Sequence, residues 1–322
     1  MAVSSADDVD LDLLRKSARD FLTGRGHQDS VDDLARLDWI GLLAPEKFGG
    51  SGWLPVESVV VAEELGRSGD GSAWLGTLVA AAAVSAAPDD IRNGRLEALL
   101  SGAATAGVAI ADDEVRVIRG DEVDLVVTLG RNGVHLIELS DSMVTHPDED
   151  LLDVVRPVWR VDISSAPGML IGSAELAGRL VDTARLLLAA DSVGALSMTV
   201  ERLTSYLKER EAFGAPIASF QAIQHRLVEL LVLEVKARAA IMKAARAAAT
   251  GDGSSARLST VAHAFVTAKA AAAVDECMQL SGGIGFTWEY PLHHELRRVF
   301  TNAHLLGTAA GSRTHLAEVS GW

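Results

Sequence analysis

Three long stretches of helical periodicity follow one another with almost nothing between them, at about residues 174–208, 216–250 and 254–280. Gly251-Asp252-Gly253-Ser254 is the turn between the second and third. Long helices joined by short loops have to pack antiparallel, so the C-terminal half is expected to be a bundle, with a shorter helix after Pro291 as its fourth member. Upstream, residues 9–101 read as shorter amphipathic helices: a Leu11, Leu14, Phe21 stripe, then Val31 to Leu42, Val56 to Leu65 and Ser72 to Ala87. Between Ala103 and about Ile171 the period changes to short β-type runs such as Leu125-Val126-Val127-Thr128-Leu129, separated by Asp-Asp, Arg-Gly-Asp and Arg-Asn-Gly turns. The expected fold is mainly α with a small β domain: a helical domain over 1–102, a β module over 103–172 and a four-helix bundle over 173–322.

Composition narrows the function. The chain of 322 residues carries 44 acidic against 29 basic side chains, a formal charge of −15, which repels a phosphate backbone and argues against nucleic acid as a partner. The longest apolar stretch, Ala73 to Ala87, is too short and too rich in alanine to span a bilayer. An acidic N-terminus and a single cysteine, Cys277, read as a cytoplasmic protein without disulfides. Pairs such as His293-His294 lack zinc-like spacing to an acid, and Cys277 reads as a packed small side chain.

Two segments of the bundle carry chemistry. Arg210 offers planar paired donors suited to a pyrophosphate or carboxylate, Phe213 a flat apolar face, and Gln221 and Gln279 amides for a nucleotide edge. Gly282 and Gly283 let backbone N–H groups approach an anion. Taken singly, Arg210 reads rather as an ion-paired helix end and the glycines as a plain turn. Their combined spacing is more specific. Glu209-Arg210-Glu211-Ala212-Phe213-Gly214-Ala215-Pro216-Ile217-Ala218-Ser219-Phe220-Gln221-Ala222-Ile223-Gln224 resembles the ER-x-x-FG-x-x-I-x-x-FQ-x-x-Q motif of the flavin-dependent acyl-CoA dehydrogenases. Gln279 to Gly285 with Glu289 and Pro291 is similar to that family's Q-x-x-GG-x-G-x-x-x-E-x-P motif. Gly41 to Gly52 and Glu63-Glu64-Leu65-Gly66 resemble N-terminal family segments, so the likeness covers most of the chain.

The resemblance implies the acyl-CoA dehydrogenase fold, FAD as cofactor, and Arg210, Phe213, Gln221, Gln279, Gly282 and Gly283 as contacts to the FAD of a neighbouring subunit. It also implies a glutamate against the thioester, and here the sequence departs from the family. One family position for that base corresponds to Leu306 in His304-Leu305-Leu306-Gly307-Thr308, the other to Ala184, before Arg185. The β module lacks the T-E-P-x-A-G-S-D-like loop and W-I-T-N-G-like strand that cover the flavin ring, reading instead Ala109-Ile110-Ala111-Asp112-Asp113-Glu114. Arg298 stands where the family has aspartate, so any ion pair made there must be rewired.

The chain thus resembles the shorter, glutamate-lacking subunit of bacterial α₂β₂ acyl-CoA dehydrogenases of sterol side-chain breakdown. That implies a homologous catalytic partner, an acyl-CoA substrate facing Arg185, and reoxidation by an electron-transfer flavoprotein. Three alternatives stay open: a homomeric enzyme with a relocated base, Asp182 or a buried Asp191 of raised pKa; a flavin monooxygenase; and a structural paralogue without a flavin role.

Overall fold

The structure is a computed structural model and describes residues 5–25, 30–111, 114–164, 166 and 168–320. Its N-terminal part runs α1 (Ser5–Arg25), α2 (Asp32–Ala35), α3 (Pro55–Ser68), α4 (Trp74–Ser85), α5 (Asp89–Arg92) and α6 (Arg95–Leu100). Pro55 sits at the first turn of α3, where its missing N–H costs nothing, and Gly69 ends the helix at φ +71. Helix α4 is buried along its whole length, which is why its sequence is alanine-rich and lacks a polar face. The helix expected over Val31 to Leu42 is corrected: only Asp32–Ala35 is helical. Asp38 takes φ +59 and the chain turns inward there, setting Trp39 edge-on against Phe21 at 5.7 Å. The Trp39 carbonyl accepts the Trp74 indole N–H at 3.1 Å. Burial of one large side chain outweighs continuation of the helix.

Two sheets follow. Strands β1 (Ala106–Ile110), β3 (Leu125–Gly130), β4 (Gly133–Glu138) and β7 (Met169–Gly172) form one in the order β1-β3-β4-β7, with β1 and β3 parallel. Strands β2 (Glu114–Ile118), β6 (Val158–Asp162) and β5 (Val144–Pro147) form the other. Alternation along β3 divides the core: Leu125, Val127 and Leu129 join the main core, whereas Val126 faces a separate core shared with Val115, Val117 and Val161 of the second sheet. Gly107 marks the closest approach of the two sheets, since a Cβ there would lie 2.2 Å from Val117 Cγ1. Asp112 and Asp113 of the expected acidic turn lie outside the described residues.

The bundle is built from α7 (Ala174–Glu209), α8 (Gln221–Thr250), α9 (Ser255–Ser281) and α10 (Leu292–Leu305). A fifth helix, α11 (Ala309–Ser320), is added to the four expected; its Ser312 Oγ lies 2.9 Å from Nδ1 of buried His263 on α9. Ser173 caps α7 by accepting the Leu176 N–H, and Gly251 at φ +67 closes α8. Helix α8 starts five residues later than its periodicity suggests. The intervening chain makes a hairpin, β8 (Glu211–Ala212) and β9 (Ala215–Pro216), then a 3₁₀ turn at Ile217–Ser219. Helices α3 and α7 cross in backbone contact at Gly66 and Gly194, where a Cβ would fall 2.0 Å from Asp191 O and 1.8 Å from Glu63 O. That crossing fixes the N-terminal helices against the bundle.

Candidate functional site

Leu306 and Arg185, which follows Ala184 on α7, meet in the structure. The Arg185 Nε–H donates to the Leu306 carbonyl at 2.8 Å, so the end of α10 sits against the first third of α7. Leu306 and Ala184 are both fully buried in the main hydrophobic core. Both side chains are apolar, and neither accepts a proton. Arg185, expected on a substrate channel, spends its Nε–H holding the α10 terminus in place. Glycine is required at 307, because a Cβ there would lie 2.8 Å from Arg185 Nη2 and φ is +104.

Asp191 is buried, as its apolar surroundings suggest, but its expected raised pKa is corrected. Burial alone pushes the carboxyl up, and the nearby Arg298 and Arg156 guanidiniums, with hydrogen bonds from Arg298 and Asn302, outweigh that and hold it below the usual carboxylate value. Arg298 donates to it through Nε at 2.9 Å and Nη2 at 2.6 Å, and Asn302 Nδ2 at 2.6 Å. Arg298 also reaches the Asp70 carbonyl at 2.6 Å, and Arg156 reaches Asn302 Oδ1 at 2.6 Å. The cavity beside them is about 10 Å³, the size of one water, so no substrate reaches this carboxylate. Asp191 is a strut joining α7, α10, the β module and the N-terminal part, and not a relocated base. The rewiring anticipated for Arg298 is this pair.

Asp182 differs. It borders a cavity of about 180 Å³ between α7 and the α8–α9 turn, and burial raises its carboxyl to about 6 against the opposing pull of Arg185. A carboxyl whose folded value lies above its ordinary 3.8 binds protons more tightly in the folded state. Its effect therefore favours folding below about 4 and is lost as pH rises through about 6. Urea titrations should show stability falling between pH 4 and 7 by on the order of 1 kcal/mol more in the wild type than in Asp182→Asn. An unchanged slope in the variant overturns this assignment.

At the far end of α7 the remaining candidates gather. Arg210, Phe213, Gln221, Gln279, Gly282 and Gly283 are all exposed, and all lie at one end of the bundle. Tyr206 packs on Tyr290 with ring centroids 5.8 Å apart, and Arg226 pairs with Glu276 at 3.1 Å. These contacts tie the two motif segments together. Phe213 stands at the hairpin tip, 99% exposed and at φ +54, an unfavourable backbone for a bulky residue. Gly282 takes φ +67 and a Cβ at 282 or 283 would meet nothing, but the Gly282 N–H is spent on the Gln279 carbonyl, so the amide expected to approach an anion at 282 is not free to do so. Exposed guanidinium, amide, aromatic and glycine groups are a donor set that fits one end of a dinucleotide. The 25 residues from Arg185 to Arg210 span about 37 Å of helix. The two halves of the candidate site are therefore remote from each other within one chain.

Reading the motifs did not single out the face of α8 beside Gln221. Val228, Leu231, Val232 and Val235 recur at helical spacing and are 44–62% exposed, an apolar stripe on the same face as Gln221. The i, i+3, i+4, i+7 pattern is visible in the sequence, but periodicity alone does not tell a core-facing stripe from a solvent-facing one. Among the described residues there is no group of three or more metal-ligating side chains, and no helix is long and apolar enough to cross a membrane. Cys277 is buried, its thiol pushed up to about 12 by burial.

Comparison with known proteins agrees with this architecture. Residues 10–103 match the family model for the acyl-CoA dehydrogenase N-terminal domain and residues 174–320 that for the C-terminal domain. Acyl-CoA dehydrogenase IpdE2 of Mycolicibacterium smegmatis is 34% identical over 268 residues, covering 83% of this chain and 79% of that protein. A variant of the Tcur3481-Tcur3483 steroid ACAD superposes with a TM-score of 0.84 at 23% identity, covering 98% of each chain. The ChsE4-ChsE5 complex from Mycobacterium tuberculosis has a chain that superposes at 0.78 with 19% identity, covering 100% of this chain and 98% of that one. Sequence match over both helical regions, a relative aligned over most of its length and the shared fold lead to one assignment: the chain belongs to the acyl-CoA dehydrogenase family.

Proposed function

We propose that this chain is the non-catalytic subunit of a heteromeric FAD-dependent acyl-CoA dehydrogenase, organised as a helical domain (1–102), a shortened β-domain (103–172) and a helical bundle (173–322). The observation that carries the reading is the pair Leu306 and Ala184, two buried apolar side chains at both family base positions. In the family reaction the flavin supplies hydride acceptance from the β-carbon while a carboxylate takes the α-proton. This chain provides no such carboxylate, so a homologous partner supplies it.

What this chain supplies lies at the other end. Arg210, Gln221 and Gln279 donate to the nucleotide part of the partner's FAD, Gly282 and Gly283 leave room for it beside the chain, and Phe213 packs against it. The exposed aromatic, its costly backbone and the apolar stripe beside Gln221 support this reading, since each becomes favourable when covered. Relatives point the same way: one structural neighbour is a steroid ACAD and another a two-protein complex, so the acyl group is proposed to be steroid-derived and the assembly α₂β₂. Electrons are proposed to leave through an electron-transfer flavoprotein.

The test is the visible spectrum of the chain purified alone and after co-expression with a homologous acyl-CoA dehydrogenase chain that carries the glutamate. The expected result is a colourless protein alone, and flavin absorbance with dehydrogenase activity in the complex. One FAD per chain in the isolated protein overturns the proposal.

A further inference from the structure

Two cavities meet at one stacked pair of side chains. The inner one, about 180 Å³, is the chamber between α7 and the α8–α9 turn that Asp182 borders. The outer one, about 550 Å³, opens between the loop at 45–53, the end of α4 and the start of α7. Trp53 and Arg179 line both, with the Arg179 guanidinium 5.8 Å from the centre of the indole ring, so this pair forms the neck between them. One side of the neck is anchored and the other is not. The Trp53 indole N–H donates to the Ala248 carbonyl near the end of α8 at 3.2 Å, whereas Arg179 is exposed and makes no ion pair among the described residues.

The chambers differ in chemistry. Phe48, Trp53, Ala82, Ala86 and Leu176 give the outer one apolar walls, and its charged Glu46 and Lys47 offset each other. Its volume lies within the ~300–1,000 Å³ of small-molecule sites. The inner chamber is polar. Asp182 accepts no hydrogen bond and makes no ion pair among the described residues. Ser259, 1% exposed, lines the same chamber, and its hydroxyl has no partner among the described residues. A carboxylate and a hydroxyl withdrawn from water are costly until water or a ligand meets them. Charge is balanced here too: Asp182 and Asp252 stand against Arg179 at the neck and Arg185, one turn from Asp182. A charged head group therefore gains little, whereas a neutral group that both donates and accepts meets Asp182 and Ser259 together.

We infer that the two chambers together are a binding site for a neutral, rigid and largely apolar alcohol, with its ring body in the outer chamber and its hydroxyl past the neck, donating to Asp182 and accepting from Ser259. An ionised carboxylate has no proton to offer a ketone oxygen, so the head group is a donor. Flat aromatic faces beside small alanines suit a fused-ring body, which loses little freedom on binding. Arg179 swings off Trp53 to admit it, and the ligand's ring takes the place of the guanidinium on the indole. The site lies on the first third of α7, at the opposite end of that helix from Arg210, so it is separate from the nucleotide contacts and does not rest on the heteromeric reading.

The test is equilibrium dialysis of the full chain against epiandrosterone, a four-ring 3-alcohol, and 5α-androstane-3,17-dione, which carries a ketone in its place. It is run at about pH 8, above the Asp182 value of about 6, so that the carboxyl is ionised. The alcohol is expected to bind saturably and at least about ten-fold more tightly than the ketone, which leaves the carboxylate unpaired. Asp182→Asn, whose amide also donates to a ketone, should narrow that preference to within about three-fold. Arg179→Ala opens the neck from an exposed position and should keep the preference. The comparison of the two ligands on the wild type needs no substitution, so it stands even where a variant fails to fold. Equal binding of alcohol and ketone, a preference that survives Asp182→Asn, or no binding of either up to the solubility limit overturns the inference. None of these outcomes touches the functional proposal, which is read from the flavin spectrum of the chain alone and in its complex.

Discussion

Asp191→Ala is expected to lower stability by about 3–5 kcal/mol, because it leaves the Arg298 and Arg156 guanidiniums buried without their anion. Both arginine side chains and the aspartate are about 4% exposed, so solvent does not replace what is lost. Against the usual 5–15 kcal/mol of a folded domain, this is a large part of the total, and thermal unfolding should drop by on the order of 10 °C. Asp191→Asn keeps the shape and some hydrogen bonds, so its loss should be smaller. The wild-type contribution is present above the carboxylate's unfolded value and is lost as pH falls, because the folded carboxyl is held low. The alanine variant should therefore lack that acid limb. If Asp191→Ala unfolds within about 1 kcal/mol of wild type, the strut assignment fails and the aspartate is free for another role.

The Asp191 network also shows how far the sequence reaches. Arg298 stands out as a departure from the family pattern, which is enough to require a new partner. Its identity is not legible, since Asp191 lies 107 residues away and pairs only after α7 and α10 pack. The same limit applies to Asp191 itself. An acid in an apolar run signals burial, yet the direction of its pKa depends on two arginines from other segments. The long helices were legible because a 3.6-residue period repeats many times in each, whereas the 31–42 segment failed because one buried tryptophan redirects it. Within the expected β module, strands β5 and β7 carry no alternation of their own for a related reason. Val144-Thr145-His146-Pro147 pairs with β6 through a register shift, and β7 is four residues long, too short for alternation to register. The two motifs that carry the family resemblance can be read residue by residue, and the exposed stripe beside them cannot, since exposure is a property of the packed chain.

Arg210→Ala is expected to reduce the FAD held by the heteromeric complex by one to two orders of magnitude in affinity, while leaving this chain folded and the complex assembled. The side chain is exposed and follows the last turn of α7, so its removal opens no cavity in the bundle. Charge-assisted hydrogen bonds to a diphosphate are worth about 1.5–3 kcal/mol each, and about 1.4 kcal/mol is a factor of ten. Arg210→Lys keeps the charge and loses the planar pair of donors, so it should fall between wild type and alanine. Phe213→Ala should weaken FAD binding by a smaller factor and relieve the strained hairpin tip, raising this chain's own stability slightly. The measurement is flavin fluorescence released on dilution of the purified complex, with sedimentation as the check on assembly. Loss of FAD with assembly intact is what separates a subunit that completes the cofactor site from a structural paralogue that merely fills a place beside it. Unchanged FAD content in Arg210→Ala would assign the chain to the second kind, and the nucleotide motif would then persist without contact to a nucleotide.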